Sequence, residues 1–190
     1  MTHHDTVSNY GRVRRLASRY CWGVERQIER MELSNIEILE DFKQPRVGYA
    51  HYTLKNDWEV LLVFLTRLRR CLTLLQGLGP ALKIDPDYIT RFDNDVPDLK
   101  ELRDFEEHFD DYSLGIGRNK NALWGYLESY GYDAEGFSNG LGRLSVEGCR
   151  NAALTVWEAV LSVESDAKAL GYLTWEDRYG SRETSREREQ

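Results

Sequence analysis

The chain has 190 residues, with 25 Lys and Arg against 32 Asp and Glu and a formal net charge of −7. That length suits one domain with a core of its own, and 41% hydrophobic with 12% aromatic residues is too rich for a disordered chain. The acidic balance argues against coating nucleic acid through bulk charge, while leaving room for a small local phosphate site.

The first periodic segment runs from about Val13 to Met31, where Val13, Leu16, Tyr20, Val24, Ile28 and Met31 recur at helical spacing. Arg12, Arg14 and Arg15 precede it and read as a solvated first turn, because Tyr20 and Trp22 do not extend them into an obvious stacking platform. Leu33 to Asn56, punctuated by Pro45 and Gly48, reads as a long connection with a short turn over Ile36 to Phe42. Trp58, Leu61, Leu62, Leu65, Leu68, Leu72 and Leu75 then mark the central core helix. Asn56 or Asp57 is its expected N-cap, Gly77 and Gly79-Pro80 its stop, and Arg67, Arg69 and Arg70 lie on its other side.

Pro86 is expected to open a short helix through Arg91. Asp93-Asn94-Asp95 lacks the glycine and terminal glutamate of a calcium loop and reads as a turn. A helix starting near Pro97-Asp98 carries Leu99, Leu102, Phe105, Phe109 and Tyr112, and Gly115 and Gly117 end it. A short helix over Asn119 to Tyr130 follows, then a glycine-rich stretch from Gly131 to Gly148 with weak strand character at Arg143 to Val146. The last helix, Cys149 to Ala169, buries Ala153, Val156, Trp157, Val160, Leu161 and Ala167 and stops at Gly171. Trp22, Trp58, Trp124 and Trp157 are assigned to core packing. The expected fold is all-α: a helical bundle of about four main helices with a small β-hairpin before the last. Residues 1–179 form one domain and 180–190 a disordered tail.

Absences narrow the class further. Residues 1–15 are polar, so no secretory signal is expected, and the run from Val60 to Leu65 is too short to span a bilayer. Cys21, Cys71 and Cys149 are odd in number and widely separated, which fits small core or boundary residues in a reducing cytoplasm. His3 and His4 read as part of a solvated terminus rather than a metal site. Gly115-Ile-Gly117-Arg118-Asn119 lacks the full dinucleotide fingerprint and reads as a helix terminator.

The segment from Leu99 to Tyr112 carries the most chemistry. On a helix, Leu102, Phe105, Phe109 and Tyr112 share one face, and Arg103 and His108 flank it about 140° apart. Asp104 stands four residues before His108, close enough to orient an imidazole and favour its protonated form. An arginine fork beside them suits a phosphate. Glu107, His108, Asp110 and Asp111 diverge around the helix without a second histidine, so no metal site is expected and no cofactor is assigned.

This segment resembles the HEPN superfamily (higher eukaryotes and prokaryotes nucleotide-binding domains) through Arg103, Asp104 and His108, which match its Arg-polar-x3-His signature in order, type and spacing. The resemblance implies a helical bundle, a homodimer in which two motifs meet, and metal-independent cleavage of RNA, in a toxin–antitoxin or phage-defence setting with a possible antitoxin partner. His108 would then be the general acid/base, Arg103 the stabiliser of charge on the scissile phosphate, and Asp104 the residue that orients His108 or the attacking group. Glu101, Glu106, Glu107, Asp110 and Asp111 surround the motif and oppose an RNA backbone unless Arg69, Arg70, Arg118 or Lys120 folds beside it. The competing reading is a non-catalytic helical dimer that acts as a protein-interaction module.

Overall fold

The computed structural model describes residues 3–40, 47–107, 131–133, 135–139 and 141–174. His108, Phe109, Tyr112, the glycines at 115 and 117, Arg118, Lys120, the helix expected over Asn119 to Tyr130 and the 180–190 tail lie outside them. So do Asp110 and Asp111.

Two long helices form the scaffold: α1, His3–Glu40, and α2, Val47–Gln76. On α1 the buried hydrophobic residues are Tyr10, Val13, Ala17, Val24, Ile28 and Met31. On α2, Leu54, Trp58, Leu61, Leu65, Leu68, Leu72 and Leu75 alternate steps of four and three, the spacing of a packed helix seam. The helices run antiparallel, since Arg30 meets Asp57 at 3.0 Å while Arg67 reaches Tyr20 at 3.4 Å. They approach closely at Gly23, where an added Cβ would lie 2.8 Å from the Phe64 ring.

The expected long connection is therefore corrected. α1 continues through Ile36 to Glu40 and α2 starts at Val47. Gly48 is the second residue of α2, in its first turn, and does not break the chain there. Asp57 is likewise no N-cap: it lies within α2, nearly buried, with Arg30 as its charge partner. Arg12, Arg14 and Arg15 belong to the interior of α1, not to its first turn.

After α2, Gly77 and a left-handed Gly79 release the chain into a 3-10 turn, Pro80–Leu82. Helix α3, Asp87–Asp95, follows Pro86. It runs past Arg91 and absorbs Asp93-Asn94-Asp95, which the sequence pattern assigns to a turn. Burial of Phe92 holds that last turn helical, and the end comes at Val96. Helix α4, Leu99–Glu107, buries Leu99, Leu102 and Phe105 as its stripe requires.

The glycine-rich stretch is a three-stranded antiparallel meander rather than a single hairpin: β1 Gly131–Asp133, β2 Gly136–Asn139 and β3 Gly142–Ser145. Asp133 makes the first turn by accepting from the amides of Glu135 and Gly136 at 2.9 and 3.0 Å. Asn139 makes the second by accepting from Leu141 and Gly142 at 2.8 and 3.2 Å. Phe137 stacks on Trp58 of α2 with centroids 3.8 Å apart, which fastens the sheet to the bundle.

Ser145 then caps α5, Val146–Ser162, by accepting from the Gly148 amide at 2.9 Å. The chain breaks at Val163 and resumes as α6, Glu164–Ala169, so the single helix expected over Cys149 to Ala169 is two. Leu161 faces outward at 45% exposure, because the apolar stripe of α5 runs through Ala152, Val156, Ala159 and Val160 instead. Tyr10 donates to the Val160 carbonyl at 3.1 Å and Cys21 to Ala153 at 3.3 Å, fixing α5 antiparallel to α1. The described residues thus give a mostly helical bundle with five helices of nine residues or more, a short sixth, and a small sheet before α5. No helix among them is long and apolar enough to cross a membrane.

Candidate functional site

α4 lies beside α2, and the seam between them is concave. Two adjoining cavities of about 420 and 460 Å³ share Thr66, Arg70 and Arg103 as lining. The first also takes Lys55, Glu59, Arg67, Glu106 and Glu107; the second takes Arg69, Asp93, Lys100 and Glu101. Its basic side chains arise from helix periodicity: Arg67 and Arg70 follow Val63 at steps of four and three on the α2 face turned away from the leucine seam. Leu102 and Phe105 bury the neighbouring face of α4 and set Arg103 at the groove's edge.

Arg103 is not a free cation. Its Nε lies 3.1 Å from Asp104 Oδ1, its Nη2 contacts the same oxygen, and Glu107 Oε2 stands 3.6 Å from Nε. Asp104 also faces Lys100 Nζ at 3.7 Å. The aspartate expected to orient His108 is thus engaged with Arg103 and Lys100. Both members of the Arg103–Asp104 pair remain about a third exposed, at 28% and 32% of the side chain. Water therefore screens their attraction, and an incoming phosphate oxygen can compete for the guanidinium.

Of the other expected phosphate contacts, Arg69 is bound bidentately by Asp93 of α3 at 2.6 and 2.9 Å and also donates to Thr73 at 3.2 Å. It serves as a strut between α2 and α3. Arg70 lines both cavities and has no ion pair among the described residues. Arg67, which the motif search passes over, lies over the Tyr20 ring, 5.8 Å from its centroid. Thr66 is a second omission: its hydroxyl is buried without a hydrogen-bond partner while its residue lines both cavities. The four-three step from Val63 was the available signal for Arg67 and Arg70; nothing in the sequence marks Thr66.

The groove is locally basic in an acidic chain. The first cavity sets four cations against three carboxylates and the second four against two. Among the described residues, no group of three or more His, Cys, Asp or Glu is placed to hold a metal ion. Burial favours the protonated thiols: it pushes Cys149 up to about 12 and Cys71 to about 11. Cys21, also raised to about 12 by burial, hydrogen-bonds to Ala153. Trp58 is core and Trp157 is half-buried beneath Arg14, but Trp22 is 66% exposed, contrary to its assignment to the core. Searches against protein-family models, curated proteins and solved structures found no match.

Proposed function

We propose that the protein is a HEPN-type, metal-independent endoribonuclease that acts on RNA at the α2–α4 groove. The observation that supports this reading is the placement of Arg103 opposite Arg70 and Arg67 across one groove, with α4 leading directly to His108 in the chain. It supplies the local positive charge that an acidic motif helix lacks by itself.

In this reading the RNA backbone lies along the groove and displaces Asp104 and Glu107 from Arg103. Arg103 then takes a non-bridging oxygen of the scissile phosphate through its planar fork and stabilises the charge that grows there. Arg70 holds the adjacent phosphate. His108 takes the proton of the 2′-hydroxyl or gives one to the leaving 5′-oxygen. As the 2′-oxygen bonds to phosphorus, the bond to the 5′-oxygen breaks, which leaves a cyclic phosphate and a free 5′-hydroxyl. On a single helix the spacing would set Arg103 and His108 about 140° apart, so in this reading a homodimer that brings the arginine of one subunit to the histidine of the other completes the site. A defence or toxin–antitoxin setting, with a neutralising partner protein, is the context that suits such an activity.

One observation favours the alternative, a non-catalytic interaction module. Arg103 is held by two carboxylates of its own helix, as in a structural ion-pair network. The two readings part on RNA incubated in EDTA. The nuclease reading expects cleavage that His108→Ala abolishes and Arg103→Ala lowers by about 10²–10³-fold, the usual cost of a transition-state charge contact. Intact RNA with every substrate tried supports the module.

A further inference from the structure

The outer face of α1 carries charge that neither the core nor the groove uses. Between Thr6 and Val24 the chain has four arginines and no acid, although its net charge is −7. Arg14 turns inward, its Nε 3.8 Å from Glu164 and its guanidinium 5.5 Å from the Trp157 ring centroid. Arg12, Arg15 and Arg19 are exposed and have no ion pair among the described residues. At about 100° per residue, these three fall with Trp22 and Arg26 in an arc of about 80°, opposite the buried Val13, Ala17, Val24 and Ile28. The row extends along about 21 Å of helix.

Trp22 ends the arginine row. It is the most exposed large apolar side chain among the described residues. Arg26 lies 5.6 Å from its ring centroid and is itself tied to Glu29 at 2.7 Å, which braces the indole from one side. A line of cations that ends on a solvent-facing aromatic is what a single-stranded nucleic acid needs: phosphates are tracked by charge and a base stacks on the ring. On the flank of α1 about 100° round from Arg19, Tyr20 accepts from the groove residue Arg67 at 3.4 Å.

We propose that this face of α1 binds single-stranded RNA, with Arg12, Arg15 and Arg19 on phosphates and Trp22 stacked on a base, and feeds the strand toward the α2–α4 groove. The choice of RNA over DNA and the direction toward the groove rest on the nuclease reading; the binding surface rests on α1 alone. An anionic bilayer would ask for a continuous apolar face, whereas Ser8, Arg12, Arg15 and Arg19 occupy this one before Trp22.

The test uses the full chain and a 2′-O-methyl oligouridine of about 12 nucleotides, within the usual footprint of such surfaces. This strand cannot be cleaved, so binding is read independently of catalysis. Indole quenching and anisotropy report the complex, and circular dichroism checks that the variants stay helical. Replacing Arg12, Arg15 and Arg19 together by Gln should weaken binding at least about tenfold and flatten the slope of log K against log salt by about 2, at roughly 0.7 per phosphate contact. Trp22→Ala should cost about tenfold with the slope unchanged, and the exposed control Leu33→Ala should change nothing. The proposal is overturned if the triple variant and Leu33→Ala bind alike, if the wild type does not bind, or if anionic vesicles bind equally well with no loss in Trp22→Ala. Failure to cleave RNA would overturn the nuclease reading and leave these binding results standing; cleavage with unaltered binding in the variants would do the reverse.

Discussion

At the residue scale, the chemistry turns on whether a guanidinium can leave its own carboxylates. Arg103 is paired to Asp104 and Glu107 on the same helix, and the pairs are partly solvated. Exposed pairs of this kind are worth about 0–1 kcal/mol, well below a charge-assisted contact to a scissile phosphate. Asp104→Asn should therefore tighten binding of an uncleavable RNA by roughly three- to fivefold, a gain of under about 1 kcal/mol, measured by anisotropy. If Asp104 instead orients the imidazole, the same variant lowers kcat and leaves binding unchanged. The cysteines make a separate prediction. Burial raises all three thiols from about 9, to about 11 for Cys71 and about 12 for Cys21 and Cys149. The folded state holds these protons more tightly than the unfolded chain, so their share of stability is complete below pH 9. It falls as pH rises through 9 toward 11 or 12. Urea midpoints should decline across that window, and Cys71 and Cys149 should resist alkylation at pH 8 until denaturant is added. Rapid native alkylation of both would contradict their burial.

At the scale of elements, the seam between α1 and α2 and the contact of sheet with bundle carry the load. Trp58 is fully buried and stacks on Phe137. Trp58→Ala should cost about 3–5 kcal/mol in denaturant melts, the range for removing a buried aromatic. Gly148, in the first turn of α5, packs against the end of α3 so closely that a Cβ would lie 2.3 Å from the Asp95 carbonyl oxygen. That neighbour is backbone, and the next, Ser145 Oγ at 2.8 Å, is held as the cap of α5. Gly148→Ala should destabilise by about 1–3 kcal/mol through overpacking, despite alanine's better helix propensity. The elements also explain what the sequence makes legible. The α2 leucines, the α4 stripe and the stop at Gly77 are visible because apolar spacing and glycine breakers act locally. The continuation of α1 to Glu40 is hidden, because the segment's apolar spacing does not mark a buried face: Leu33 and Ile36 are exposed. Asp57 looks like a cap because its partner, Arg30, is remote in sequence.

At the scale of the whole molecule, the distribution of charge matters more than its sum. A chain of net charge −7 gathers cations in the α2–α4 groove and along the outer face of α1. Arg103 can be singled out in the sequence, and the groove that it lines cannot, since Arg67 and Arg70 meet α4 only through tertiary packing. Trp22 is the reverse case: at about 100° per residue it lies opposite Val13, Val24 and Met31, so its exposure follows from the same helical spacing that marks the buried stripe. The central claim is that Arg103 and His108 cleave RNA without metal at this groove. Its most direct test is incubation of the purified full chain with single-stranded and structured RNA in EDTA, beside Arg103→Ala and His108→Ala, with the products' termini identified. Cleavage by the wild type to cyclic-phosphate ends, reduced by Arg103→Ala and abolished by His108→Ala, is the result expected. Cleavage that survives His108→Ala, or no cleavage of any RNA by the wild type, would contradict it.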